Sequence, residues 1–302
     1  HTQQDKASVY GIRGWALSGF SGPVLGKRVP CAAYGLPSTD KLRQAVADQL
    51  SSNPSAQAIL MRGHGALCLG TDCDTAFQAA EALERICAER IGAVLDEELK
   101  MYTEQRALWP MPDYGRSQRS GHYFKLKTGS VTRIYDLRLV PEDSDRPAAV
   151  HAAIYRRSGA RFILHVRSAS TMAMSILGKT VYPYLDDLAQ IAGPDIRCAR
   201  HWENRRQPAA IAKALTGRNA ALLEDCGGFC TGKTADDVAA AALLLEKGCE
   251  AALYAKLLSD CEPLNPVDAR LQRLIYQTKY SRKKEGQAQS REASGQEEDE
   301  IC

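Results

Sequence analysis

The chain lacks the features that would place it in several large classes of protein. No apolar run approaches the ~20 residues that a membrane-spanning helix requires, and the longest, Val238 to Leu245, is mostly alanine. No membrane association is expected. Neither charge dominates: 39 Lys+Arg stand against 36 Asp+Glu, a net charge of +3. Short basic clusters such as Arg282-Lys283-Lys284 occur, but there is no stripe that would track a nucleic acid. Ten cysteines are too few, in so long a chain, for a small secreted disulfide scaffold. The polar opening His1-Thr2-Gln3-Gln4-Asp5 has no signal-peptide character. Several cysteines fall within apolar helical patterns, where a reduced thiol acts as a small hydrophobe. A cytoplasmic protein with free thiols is expected. An initiator methionine is missing too, which points to a gene start upstream of His1. What remains, 44% hydrophobic and 25% charged residues, is the usage of a globular chain of one large domain or two ordinary ones.

The strongest positive signal is self-similarity. Ala58 to Gly70 lies over Ala220 to Gly232 at an offset of 162, with Gly65 on Gly227, Cys68 on Cys230 and Gly70 on Gly232. The match continues without a gap, Glu84 falling on Glu246 and Cys87 on Cys249. Upstream, His1 falls on His165 at an offset of 164. The reading is a tandem of two related domains: a first repeat over 1–100, a linker over 101–119, a second repeat over 120–262 and a C-terminal segment with a tail over 263–302.

Each copy reads as mixed α/β. In the second, a short strand Arg161 to His165 leads into a helix over Ala169 to Leu177. A helix near Pro208 to Leu215 precedes a strand over Ala220 to Leu223, and a Gly-rich turn, a further strand and a long helix over Ala235 to Leu257 follow. Thr71-Asp72-Cys73-Asp74 and Thr234-Ala235-Asp236-Asp237 supply N-cap residues for the two long helices. Leu108 to Gly115 is turn-rich, and the residues beyond Tyr280 have no apolar periodicity, so a disordered tail is expected there.

A strand ending in His, followed about sixty residues later by a His between a strand and a Gly turn, can converge on one point. A divalent metal is one chemical reason to converge them, since neutral imidazole is its commonest protein ligand. The alternative is a hydrogen-bonded histidine at the surface or in the core. His122 and His201 stand alone, with no partner at ligand spacing. Cys226 to Cys230 has CxxxC spacing with no second pair, and Cys230, like Cys68, reads as structural. Gly63-His64-Gly65 is not a phosphate loop, because no GxxxxGK[ST] follows it.

These segments resemble the class II aldolase/adducin family, and within it the fuculose-phosphate aldolase branch. The resemblance rests on His1-Thr2-Gln3, Val29-Pro30-Cys31-Ala32-Ala33-Tyr34-Gly35 and Arg62-Gly63-His64-Gly65. In the second copy it rests on Val150-His151-Ala152-Ala153-Ile154-Tyr155, Ile163-Leu164-His165-Val166-Arg167 and Asp225-Cys226-Gly227. It implies a tandem of three-layer α/β domains, each with a mostly antiparallel central sheet. It also implies metal-dependent retro-aldol cleavage of a sugar phosphate, the metal polarising the carbonyl so that the enediolate is stabilised.

On the family pattern, His1, His64 and, weakly, Gln3 would hold zinc or another divalent metal in the first repeat. The catalytic Glu would lie upstream of His1. In the second repeat the corresponding set is His165, Arg167 and Cys226, with Pro147 at the Glu position, Asp145-Arg146 at the phosphate-binding Ser pair, and Asp186 at the mobile Tyr, near Tyr182 and Tyr184. A fixed guanidinium repels a metal: at an effective dielectric of ~20, unit charges ~4 Å apart interact by roughly 4 kcal/mol, and a divalent ion doubles that. The second site is thus expected to stay empty of metal unless Arg167 turns to Asp186 or Asp187. Arg167, with Arg146, would instead receive an anion such as a phosphate or carboxylate.

Two functions follow. One is a metal-dependent aldolase acting through the first repeat; the other is an inactive aldolase- or adducin-type module that binds a ligand or builds an assembly. Family members form rings with active sites between neighbouring subunits, so two tandem chains are expected to make a homodimer with pseudo-fourfold symmetry.

Overall fold

The computed structural model describes residues 24–25, 29–107, 113–140, 145–200, 207–257 and 261–280. Strand β1 (Cys31–Ala32), helix α1 (Asp40–Ser52), strands β2 (Ala58–Met61) and β3 (Gly65–Cys68) and helix α2 (Cys73–Ala107) come first. A meander of β4 (Arg116–Ser120), β5 (Tyr123–Thr128) and β6 (Val131–Asp136) follows, then α3 (Arg146–Arg157), β7 (Phe162–Val166) and α4 (Ala169–Ile176). After a helical turn at Leu188–Ala192 come β8 (Cys198–Ala199), α5 (Gln207–Ala214), β9 (Ala220–Leu223), β10 (Gly227–Gly232), α6 (Ala235–Leu257) and α7 (Pro266–Ile275).

The elements from β8 to α6 reproduce the order from β1 to α2. Cys31 pairs with Leu60 as Cys198 pairs with Leu222, and Ala58 pairs with Cys68 as Ala220 pairs with Cys230. Turn hydrogen bonds correspond too: His64 N–H donates to Met61 C=O, and Cys226 N–H to Leu223 C=O, each at 2.9 Å. The long helices are capped where the sequence places polar residues. Asp72 Oδ1 accepts from Thr75 N–H at 2.8 Å, while Thr234 and Asp237 cap reciprocally at 3.1 and 3.2 Å.

Both sheets are mixed, which corrects the expectation of a mostly antiparallel sheet. The smaller has the order β1-β2-β3 and the larger β6-β5-β4-β7-β10-β9-β8. Each carries a parallel pair at one edge, β1 with β2 and β8 with β9, while the remaining pairs are antiparallel. The cause is local: α1 and α5 each cross over between their flanking strands, and a helical crossover returns the chain in its original direction.

Side chains alternate across the larger sheet into two apolar clusters. Leu164, Leu222 and Cys230 join Leu245 and Cys249 of α6, and the same cluster takes Leu60 of β2 with Leu83, Ile86 and Cys87 of α2. On the opposite face Ile163, Leu223 and Phe229 pack with Val150, Ile154 and Tyr155 of α3 and Ile211 of α5. The result is helix, sheet, helix, with both faces of the central strands covered. No helix among the described residues is long and apolar enough to cross a membrane.

The β9–β10 turn depends on Gly227, whose φ is +93° and whose missing Cβ would fall on the Val166 carbonyl oxygen. Gly129 has φ +55° but nothing within 4 Å of such a Cβ. Gly227→Ala is therefore expected to cost at least about 3 kcal/mol in urea unfolding and Gly129→Ala only about 1 kcal/mol. Equal costs would refute this account of the turn.

Candidate functional site

Gly63, at φ +75°, turns the chain between β2 and β3 and presents His64 to a loop more than a hundred residues further along the chain. His64 Nδ1 lies 3.2 Å from Asp186 Oδ2, and Nε2 lies 2.7 Å from the Gly35 carbonyl oxygen. Asp186 N–H donates to the Gly63 carbonyl at 3.0 Å, and Gln190 holds the Asp186 carboxylate at 3.0 Å. Tyr34 stacks on the imidazole with centroids 5.4 Å apart, and its hydroxyl accepts from Gln272 at 2.9 Å. Both ring nitrogens thus face acceptors, which is the environment of an imidazolium donating twice. Burial pulls its pKa down, but the hydrogen bond and charge of Asp186, with the Gly35 carbonyl, raise it above the ordinary value overall. Burial, with the Asp268 and Asp186 carboxylates, pushes Tyr34 up to about 12. His1 and Gln3 lie outside the described residues.

His165, on β7, is tied differently. Its Nε2–H donates to the Cys226 carbonyl at 2.7 Å, and Nδ1 accepts from Tyr114 N–H at 3.2 Å. One donor and one acceptor define a neutral ring. Burial lowers its pKa, outweighing the Cys226 carbonyl and Asp113, whose carboxylate is 3.5 Å away. Tyr114 and Phe229 enclose the ring at 5.1 and 4.9 Å. Cys226 offers its carbonyl here, and burial, reinforced by Asp225, pushes its thiol up to about 12, against the lowering pull of Tyr114, Arg146 and Arg167.

Arg167 is half-buried, and its Nε has no hydrogen-bond partner. It has not turned to Asp186, which is bound to His64, nor to Asp187, which takes Lys247 at 2.6 Å. Arg146 opens α3 and is exposed, while Asp145 before it accepts from the Tyr135 hydroxyl at 3.1 Å. His122 sits in the exposed β4–β5 turn, and His201 lies outside the described residues. Cys226 and Cys230 form no disulfide.

Sequence reasoning assigned no role to His151, which is fully buried in α3. Its Nδ1 meets Ser117 Oγ at 2.6 Å, and Ser117 in turn meets the Tyr155 hydroxyl at 2.8 Å. Burial holds the His151 pKa down at about 3, so this chain of groups is neutral. The four-residue spacing of His151 and Tyr155 on one helix face was the available signal.

A metal ligand needs a free lone pair on nitrogen, and neither His64 nor His165 offers one in this arrangement. Among the described residues no group of three His, Cys, Asp or Glu side chains is placed to hold a metal ion. As placed among the described residues, His64, His165 and Cys226 do not by themselves present a donor set for a divalent metal. What they do supply is a histidine held between a carboxylate and a carbonyl, which favours its protonated form, and, around Cys226, the charges of Arg146 and Arg167.

The opposite protonation states give a pH signature. A raised folded pKa at His64 contributes stability that is fully present below pH ~6.5 and is lost as pH rises through the folded value. His151 and His165, held low, contribute stability above pH ~6.5 that is lost on acidification. The stability gap between wild type and His64→Gln is expected to be wider at pH ~5.5 than at pH ~9. A gap independent of pH would refute the imidazolium assignment.

Among curated proteins none matches this chain. Among solved structures, an L-fuculose 1-phosphate aldolase is 16% identical, covering 60% of this chain and 95% of its own, with a TM-score of 0.48. The L-fuculose-1-phosphate aldolase of Thermus thermophilus is 20% identical, covering 48% and 84%, with a TM-score of 0.40. An aldolase II superfamily protein from Pseudomonas syringae is 15% identical, covering 65% and 92%, with a TM-score of 0.43. The family model described as Class II Aldolase and Adducin N-terminal domain matches residues 1–91 and 119–253, well over half of the sequence. The chain is a member of the class II aldolase and adducin N-terminal domain family.

Proposed function

We propose that this chain is a tandem class II aldolase-type protein that works without a metal, as a module that binds a small anion and assembles with itself. The observation that carries this reading is the commitment of both histidines: His64 to Gly35 and Asp186, His165 to Tyr114 and Cys226. The duplication is supported by the 162-residue offset that relates sequence, strand register and turn hydrogen bonds alike.

The competing reading, retro-aldol cleavage through zinc at His1, His64 and Gln3, would require His64 to break from Gly35 or from Asp186. Losing the first would take a donor from the buried Gly35 carbonyl, at a cost of about 1–3 kcal/mol, and losing the second would leave the partly buried Asp186 carboxylate to Gln190. In the second repeat, Cys226 would have to shed a proton that burial holds tightly. Arg167 and Arg146 suit a sugar phosphate or related anion instead, because a guanidinium fork matches phosphate or carboxylate geometry. Tandem repeats of a ring-forming fold would make a homodimer with pseudo-fourfold symmetry. The reduced thiols fit a cytoplasmic setting.

Protein dialysed against zinc and then buffer is expected to retain well under one metal per chain and to cleave no sugar phosphate. Stoichiometric zinc together with cleavage would overturn the proposal. Inorganic phosphate is expected to bind wild type and to lose about tenfold in affinity in Arg167→Gln by titration calorimetry. Unchanged affinity would remove Arg167 from the site.

A further inference from the structure

Strand β7 ends at Val166 and helix α4 begins at Ala169, so Arg167 and Ser168 make the step from strand to helix. Thr39, Asp72, Thr234 and Asn265 each cap the helix that follows them. Ser168 does not cap α4, because its hydroxyl donates to Thr171 Oγ1 at 2.9 Å instead. The first turn of α4 also holds no acidic residue. Met172 N–H reaches the Ser168 carbonyl at 2.9 Å, but among the described residues no acceptor meets the N–H groups of Ala169, Ser170 and Thr171.

Two side chains at the same step are unsatisfied. Ser170 is only 1% exposed, and its Oγ has no hydrogen-bond partner. Arg167 Nε is likewise buried and unpartnered. The carboxylates that could have answered it are taken, Asp186 by His64 and Asp187 by Lys247. Helix side chains tilt toward their own N-terminus, so the Ser170 hydroxyl leans back to the open N–H groups, and Arg167 stands one residue before the cap. Ala169 between them is exposed, so the step opens to solvent. Buried polar groups without partners are rare and costly, and every one of these can donate.

We infer that the N-terminus of α4 is a cradle for a phosphate group, in which Arg167 and the Ser170 hydroxyl join the open backbone N–H groups. The inference rests on the anion-binding function proposed above and gives it a place and a ligand class, a phosphate monoester. Open N–H groups and the positive end of the helix dipole both favour an anion there. The donors are of three kinds and come from different directions. A tetrahedral phosphate has oxygens for all of them, whereas a carboxylate offers two in one plane, which a guanidinium fork alone can occupy.

Titration calorimetry of the full chain with inorganic phosphate at fixed ionic strength, beside thermal melting, tests the cradle. Wild type is expected to bind phosphate and to melt higher in its presence. Ser170→Ala is expected to lose about tenfold in affinity and yet, without phosphate, to melt no lower than wild type, because it deletes a hydroxyl with no partner in the protein. A lower melting point with unchanged affinity would mark a structural serine and overturn its place in the cradle. Ala169→Pro removes one backbone N–H at a position where proline suits a helix, and Ser168 already has the extended ψ of 158° that a following proline requires. It is expected to weaken phosphate several-fold while keeping the circular dichroism of wild type. If both variants bind like wild type while Arg167→Gln does not, the α4 cradle is overturned and the anion reading stands on Arg167. Acetate binding as tightly as phosphate overturns the phosphate assignment. A wild-type chain that binds no phosphate overturns both readings.

Discussion

The two sheets are joined through one apolar layer. Leu60, Leu83, Ile86 and Cys87 from the first segment pack with Leu188, Leu222, Leu245 and Cys249 from the second, so neither sheet has a core of its own on that side. Everything polar at the junction follows from this sharing. Once the layer closes, the β2–β3 turn is pressed against the loop before Leu188, and the groups trapped there must satisfy each other. His64, Asp186, the Gly63 carbonyl and Gln190 do so in a continuous set of hydrogen bonds.

That constraint accounts for the different fates of two histidines in related settings. His64 meets only acceptors, which favour its protonated form; His165 meets one donor and one acceptor, which favour the neutral ring. Burial alone would push both the same way. The partners decide, and they come from different parts of the chain: a carboxylate from the loop beyond α4 in one case, the carbonyl of Cys226 in the β9–β10 turn in the other.

Much of this architecture is legible in the sequence because it is local. A short apolar run before a Gly-rich turn marks Ala220–Leu223 as a strand, a longer apolar stretch marks Ala235–Leu257 as a helix, and Thr234 with Asp237 forms its cap. The offset of 162 foretells a shared register because identical spacing between strand and turn leaves no freedom to slip. The parallel edges are less visible, since strands of two residues, Cys31–Ala32 and Cys198–Ala199, carry almost no periodic signal. The site is hardest to read. Nothing in Gly63-His64-Gly65 names Asp186 as its neighbour, and a histidine ligand and a hydrogen-bonded histidine look alike in one dimension. The mounting of α7 escapes for the same reason: its apolar spacing is plain, but only the carbonyls of Gln190 and Ile191, which accept from Arg273, determine which side faces inward.

The hydrogen bond from Gln272 to Tyr34 closes a loop of 238 residues. Tyr34 belongs to the β1–α1 connection, and Gln272 to the last α-helix described. During synthesis the early segment therefore leaves the ribosome well before its fastening exists, and at ~5–20 residues per second the wait is on the order of ten to fifty seconds. Throughout that interval Tyr34 is without its Gln272 partner, and the shared apolar layer fills only as Leu188, Leu222, Leu245 and Cys249 emerge in turn. The nascent chain is thus an open half with a sticky face, and completing it depends on the arrival of residues from its far end.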